Sequence, residues 1–204
     1  MRSSLHYSST PFQLQDAAHI KSLYTAFLES YRAKIRDGIL LQRQSGHLAK
    51  DKFSKKIIHD AKKVAQNFCL TYESQVIELA ACIFAFWSLK RKNGFESESH
   101  SENETMSYLL QPHAAQVIGV WMLLNCKQSE FQRLENHLME VKTGEGKSVI
   151  LAVTATILAM LGWEVDCICY SSYLSDRDFF LRESTRLPFF DVREICPIRI
   201  SIQR

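Results

Sequence analysis

Met139-Glu140-Val141-Lys142-Thr143-Gly144-Glu145-Gly146-Lys147-Ser148-Val149-Ile150 is the stretch on which the reading of this chain turns. A polyphosphate carries several negative charges and needs many donors at close range. Glycine lets the backbone curl and approach such a group with no Cβ in the way. The N–H groups from Gly144 to Ser148 can then converge as a nest, and a helix starting near Gly146 adds its positive N-terminal end. Lys147 is suited to the β- and γ-phosphates of ATP, and the Ser148 hydroxyl to a Mg²⁺ ion. The strict pattern is G-x-x-x-x-G-K-[ST], and here Val141 stands where its first glycine belongs. A bare Gly-Lys-Ser also arises by chance, as a glycine turn capping the next helix. The context favours the phosphate loop: an apolar strand candidate, His137 to Val141, precedes it, and an apolar helix, Val149 to Leu161, follows.

Working outward, Gly162 ends that helix and Val165 to Tyr170 reads as a strand of apolar and β-prone residues. Ser175 to Arg186 reads as a helix again, and Ala114 to Asn125 as one upstream. Strands alternating with helices predict α/β architecture: an incomplete P-loop (RecA-like) parallel sheet with helices over residues 107–204. Residues 93–106 are polar and acidic and read as a linker or surface loop. Residues 1–92 read as an α-helical N-terminal region. In Ala17 to Leu40 the apolar positions Ile20, Leu23, Tyr24, Phe27, Leu28 and Tyr31 recur at helical spacing. Phe53 to Ala65 and Tyr72 to Leu89 continue in that style, and Val76 to Trp87 is apolar almost all round, which predicts a central buried helix.

Composition narrows the class. The chain has 204 residues, 46% of them hydrophobic and 23% charged, which is a globular composition. A net charge of +3 is too small to argue for nucleic acid or an anionic membrane. The N-terminus lacks an apolar core of signal-peptide length, and the longest apolar run, Val149 to Trp163, is short of the roughly 20 residues a membrane helix needs. Asn103-Glu104-Thr105 matches a glycosylation sequon, which has no use without secretion. Six cysteines form no C-x-x-C pair; Cys167 and Cys169 point the same way on a strand, half a metal site with no matching pair. Reduced thiols fit a cytoplasmic protein.

The phosphate loop resembles that of the SecA family, the motor ATPase of preprotein translocation. The family carries Thr-Gly-Glu-Gly-Lys-Thr there; Lys142-Thr143-Gly144-Glu145-Gly146-Lys147-Ser148 matches it with Ser for the final Thr. The glutamate between the glycines is unusual among P-loops in general. Upstream, a family motif resembling Arg-x-Phe-Asp-Val-Gln-Leu-x-Gly reads adenine through its glutamine. Gln111-Pro112-His113-Ala114-Ala115-Gln116-Val117-Ile118-Gly119 aligns with it and places Gln116 there, without the arginine, aromatic or aspartate. Downstream, Tyr173, Leu174, Arg177 and Asp178 keep the register of Asn-Asp-Tyr-Leu-Ala-x-Arg-Asp, with Ser171-Ser172 for the Asn-Asp pair. The resemblance covers about residues 107–185 and is nearer to divergent SecA-like modules than to the bacterial translocase.

The resemblance implies a nucleotide site of Gln116, Lys142, Thr143, Gly144, Glu145, Gly146, Lys147 and Ser148, with ATP and Mg²⁺ as cofactors and Ser148 as metal ligand. It implies protein targeting as the context, preprotein or membrane translocation machinery as partners, and a cytoplasmic protein at most peripheral to a membrane. Hydrolysis needs a further Mg²⁺-organising carboxylate and a residue that positions water. The family supplies them from an Asp-Glu pair after an apolar strand; Asp166, Asp191 and Glu194 lack that setting, so no catalytic residue is assigned. The second motor lobe is absent, so the chain reads as a fragment, an alternative product or one piece of a longer polypeptide, an ATPase only in a full-length context. About three strands with a raw edge predict marginal stability. The alternatives are a nucleotide-binding module that does not hydrolyse and a helical interaction scaffold with a vestigial loop.

Overall fold

A spacing of four residues between buried side chains, Leu23, Phe27, Tyr31, Ile35 and Ile39, gives the first helix an apolar stripe over residues 23–39. That helix, α1, runs Leu14–Ser45 and is followed by α2 (Ala49–Ala65) and α3 (Tyr72–Lys90). Then come α4 (Ala114–Leu123), α5 (Lys147–Met160), β1 (Val165–Cys169) and β2 (Ile198–Ile202). The computed structural model describes residues 14–45, 49–67, 71–90, 109–126, 137–169 and 198–202.

The expected central helix is α3. Val76, Ile77 and every residue from Leu79 to Phe86 are buried, because α1 and α2 pack on it from two sides and α5 touches it from a third. Aromatic rings tie the layers together. Phe27 on α1 meets Phe84 on α3 edge-on at 5.8 Å and Trp121 on α4 at 6.1 Å, and Tyr24 meets Trp121 at 6.2 Å. Some polar side chains in and around this core are paired between elements, while the buried Trp121 Nε1 and Thr154 Oγ1 have no hydrogen-bond partner among the described residues. Tyr31 Oη and Ser88 Oγ lie 2.9 Å apart, Tyr72 donates to the Leu124 carbonyl at 2.9 Å, and Lys34 meets Glu78 at 3.1 Å. One contiguous apolar cluster extends from Leu23 to Met160, so the helix behind the glycine loop shares its core with α1–α3.

The α/β parallel-sheet architecture expected from the sequence is corrected here. The described residues are mostly helical, five helices against two five-residue strands. β1 and β2 pair in parallel, Val165 opposite Ile198 through Cys169 opposite Ile202, and this two-stranded ladder is all the sheet among the described residues. The second correction concerns His137 to Val141, which is not a strand. It keeps a strand-like alternation: Met139 and Val141 pack on the core while Leu138 is 86% exposed. No neighbouring strand supplies its backbone with a ladder among the described residues, so the pattern yields an extended connection. The helical core is satisfied by helix-on-helix packing, and the sheet is a small appendage at the end of α5.

The linker 93–106, the helix over Ser175 to Arg186, the Tyr173 to Asp178 segment, Asp191 and Glu194 lie outside the described residues. Cys82, Cys126 and Cys167 are in no disulfide among the described residues. No helix among the described residues is long and apolar enough to cross a membrane.

Candidate functional site

The glycine loop is set between α4 and α5. α4 starts at a cap formed by His113: its Nδ1 accepts from the Ala115 N–H at 3.4 Å, and Gln116 Oε1 accepts from the His113 N–H at 3.1 Å. This reciprocal box fixes the Gln116 side chain against the start of its own helix. α4 then crosses α5 closely at Gly119. A Cβ on Gly119 would stand 3.2 Å from Ile150 Cδ1 and 3.6 Å from Met139 Cε, so a larger residue would press Ile150 aside by a few tenths of an ångström at this crossing. The close crossing brings Gln116 onto the loop, where its Nε2 donates to the Glu145 carbonyl at 3.3 Å.

Gly146 is the N-cap of α5 in the left-handed conformation, φ 83° and ψ 41°, and Gly144 is also left-handed at φ 91°. Any other residue at Gly146 is strained by that φ, and its Cβ would run into the Gln116 amide nitrogen. Above Gly144 the space is open. The Glu145 N–H turns back to the Lys142 carbonyl at 3.3 Å, and the Val149 and Ile150 N–H groups go to Gly146. Among the described residues no backbone carbonyl accepts from Gly144, Gly146 or Lys147. These donors sit at the positive end of a 14-residue helix, which is the donor set an oxyanion group needs.

Lys147 folds back over the loop, and its Nζ donates to the Val141 carbonyl at 2.7 Å. The ammonium thus spans the loop, held by the residue that replaces the first glycine of the strict pattern. Lys142, Thr143, Gly144, Glu145 and Lys147 are exposed, while Gly146 and Ser148 are half-buried. The structure therefore brings Gln116 and residues 142–148 together from sequence positions 29 apart. A family model for the SecA DEAD-like domain matches residues 23–186. The chain belongs to the SecA DEAD-like domain family.

That family is one of nucleotide-binding translocation motors. The matched span begins within α1, so α2, α3, Gln116 and the glycine loop all fall inside the SecA DEAD-like region. No curated protein and no solved structure matches the chain. The Gln116 amide spends one N–H on Glu145 and one lone pair on His113, which leaves it one further donor and one further acceptor by valence. Sequence reading missed His113, because histidine is not among the favoured N-cap residues; its signal is the three-residue spacing to Gln116. It also missed the Val141 carbonyl, since a backbone acceptor leaves no mark on residue type.

Proposed function

We propose that this chain binds Mg·ATP on the loop 142–148 as the nucleotide-binding part of a protein-translocation motor. The observation that carries this reading is the Gln116–Glu145 bond, which joins the two family motifs in space. In this reading the N–H groups of Gly144, Gly146 and Lys147 cradle the phosphates. Lys147 exchanges the Val141 carbonyl for β- and γ-phosphate oxygens, a charge-assisted bond to a stronger acceptor. Ser148 holds Mg²⁺ through its hydroxyl, the remaining loop side chains Lys142, Thr143 and Glu145 flank the phosphates, and Gln116 reads the adenine edge. Mg²⁺ supplies neutralisation of the phosphate charge when bound. No carboxylate is assigned to water activation, so the function proposed is binding, with turnover requiring the rest of a motor.

The test is equilibrium titration with a fluorescent ATP analogue in Mg²⁺, comparing the parent chain with Lys147→Ala. The variant is expected to bind at least tenfold more weakly, about 1.4 kcal/mol, with unchanged helical circular dichroism. Equal binding by the two proteins, or none by the parent, contradicts the reading. Phosphate release by this chain alone is expected to be negligible; robust Lys147-dependent release would show that turnover needs nothing more.

A further inference from the structure

α4 starts on an uncommon capping group. His113 stands at the N-cap in extended conformation, φ −72° and ψ 143°, and is exposed. Its Nδ1 accepts from the Ala115 N–H at 3.4 Å, so that nitrogen offers a lone pair and the neutral ring carries its proton on Nε2. The other half of the box is Gln116, whose Oε1 accepts from the His113 N–H at 3.1 Å. Gln116 Nε2 in turn donates to the Glu145 carbonyl at 3.3 Å and occupies the space a Cβ on Gly146 would take. One side chain thus joins the start of α4 to the phosphate loop. Its oxygen is anchored at the cap, and the His113 ring orders the first turn that holds the anchor.

A proton on Nδ1 acts against this arrangement twice. It turns the acceptor of the Ala115 N–H into a donor, and it sets a positive charge at the positive end of a helix. α4 has no acidic residue in its first turn to offset that charge. α1 meets α4 at Trp121, about two turns further along, through the uncharged rings of Tyr24 and Phe27. α5 and its loop bring Lys142, Glu145 and Lys147 to this end, and none of them forms an ion pair with His113 among the described residues. The ring therefore caps as a neutral group. We propose that His113 is a positioning residue of the nucleotide site: neutral, it holds Gln116 on the loop, and protonated, it releases it. His113 has this role only if the loop binds nucleotide as proposed, and it acts through Gln116 without touching the ligand.

The experiment compares the full chain with His113→Asn and His113→Ala at about pH 8 and about pH 5.5, a range over which imidazole ordinarily changes charge. Asparagine is among the best N-caps and accepts at either pH, whereas alanine cannot accept at all. In the ligand-free proteins the Gln116 side-chain amide is followed by NMR. On acidification its signals in the parent are expected to move toward their positions in His113→Ala, and those of His113→Asn to stay in place. Affinity for Mg·ATP is then measured by titration. At about pH 8 the parent and His113→Asn should bind alike, and His113→Ala about fivefold more weakly, the worth of one cap. At about pH 5.5 the parent should fall about fivefold below His113→Asn, while the ligand's own titration affects both proteins equally. A parent that binds Mg·ATP but keeps the same ratio to His113→Asn at both pH values, or whose Gln116 signals do not move, would overturn the role of His113 alone. A parent that binds no Mg·ATP at either pH would overturn the nucleotide reading with it.

Discussion

Gly146 is where backbone, helix and loop meet, and its constraint is severe. A left-handed conformation costs a residue with a Cβ about 1–2 kcal/mol, and here the Cβ would also displace the Gln116 amide. Gly146→Ala is therefore expected to lower the unfolding free energy in urea by about 1–2 kcal/mol and to weaken ATP binding together with it. An alanine variant with parent stability would show that the loop relaxes freely. Gln116→Ala removes both the partner of the His113 N–H and the strap on Glu145. Under the proposed adenine contact, its expected signature is a weakened preference for ATP over GTP, measured by competition, while Lys147 remains. Equal preference in parent and variant would remove Gln116 from base reading. The meeting of Gln116 with the glycine loop was legible in the sequence because Gln116 and Lys147 each sit in a motif of fixed spacing. The His113 cap and the Val141 carbonyl were not, since one uses an uncommon capping residue and the other a main-chain atom.

At the level of elements, the helices were legible and the sheet was not. The stripe of α1 and the all-round apolarity of Val76 to Trp87 are properties of the residues themselves, and helix-on-helix packing realises them directly. Strand formation depends on a partner elsewhere in the chain. Met139 and Val141 alternate with exposed neighbours as strand residues do, yet no ladder forms beside them among the described residues. Val165 to Cys169 does become a strand, because Ile198 to Ile202 pairs with it. The load is carried by α3. Phe84 is fully buried and meets both Phe27 and Trp87 edge-on, so Phe84→Ala should cost about 3–5 kcal/mol, read from the urea midpoint. A loss under about 1 kcal/mol would mean that the α1–α3 core can collapse around the gap.

For the whole molecule, one apolar cluster runs from the N-terminal helices to the helix behind the phosphate loop, which couples loop stability to the stability of the entire described core. Burial also sets its response to pH. Desolvation pushes the Cys82 thiol up to about 11 and Cys126 to about 12, from an ordinary 9.0, and it raises the Tyr31 and Tyr72 phenols as well. In the unfolded chain these groups ionise first, so above about pH 9 the folded state holds protons the unfolded state has lost. Their contribution is complete below that pH and fades as pH rises toward the folded values. The urea midpoint should fall between about pH 8 and about pH 11, and an unchanged midpoint would place these groups in contact with water. The coupling of loop to core also gives the central claim its most direct test, the thermal transition of the full chain with and without Mg·ATP. Ligand at about 100 times its dissociation constant stabilises the folded state by about 2.7 kcal/mol, an upward shift of several degrees. The parent is expected to show that shift and Lys147→Ala to lose it; no shift in the parent, or the same shift in both, would contradict nucleotide binding at this loop.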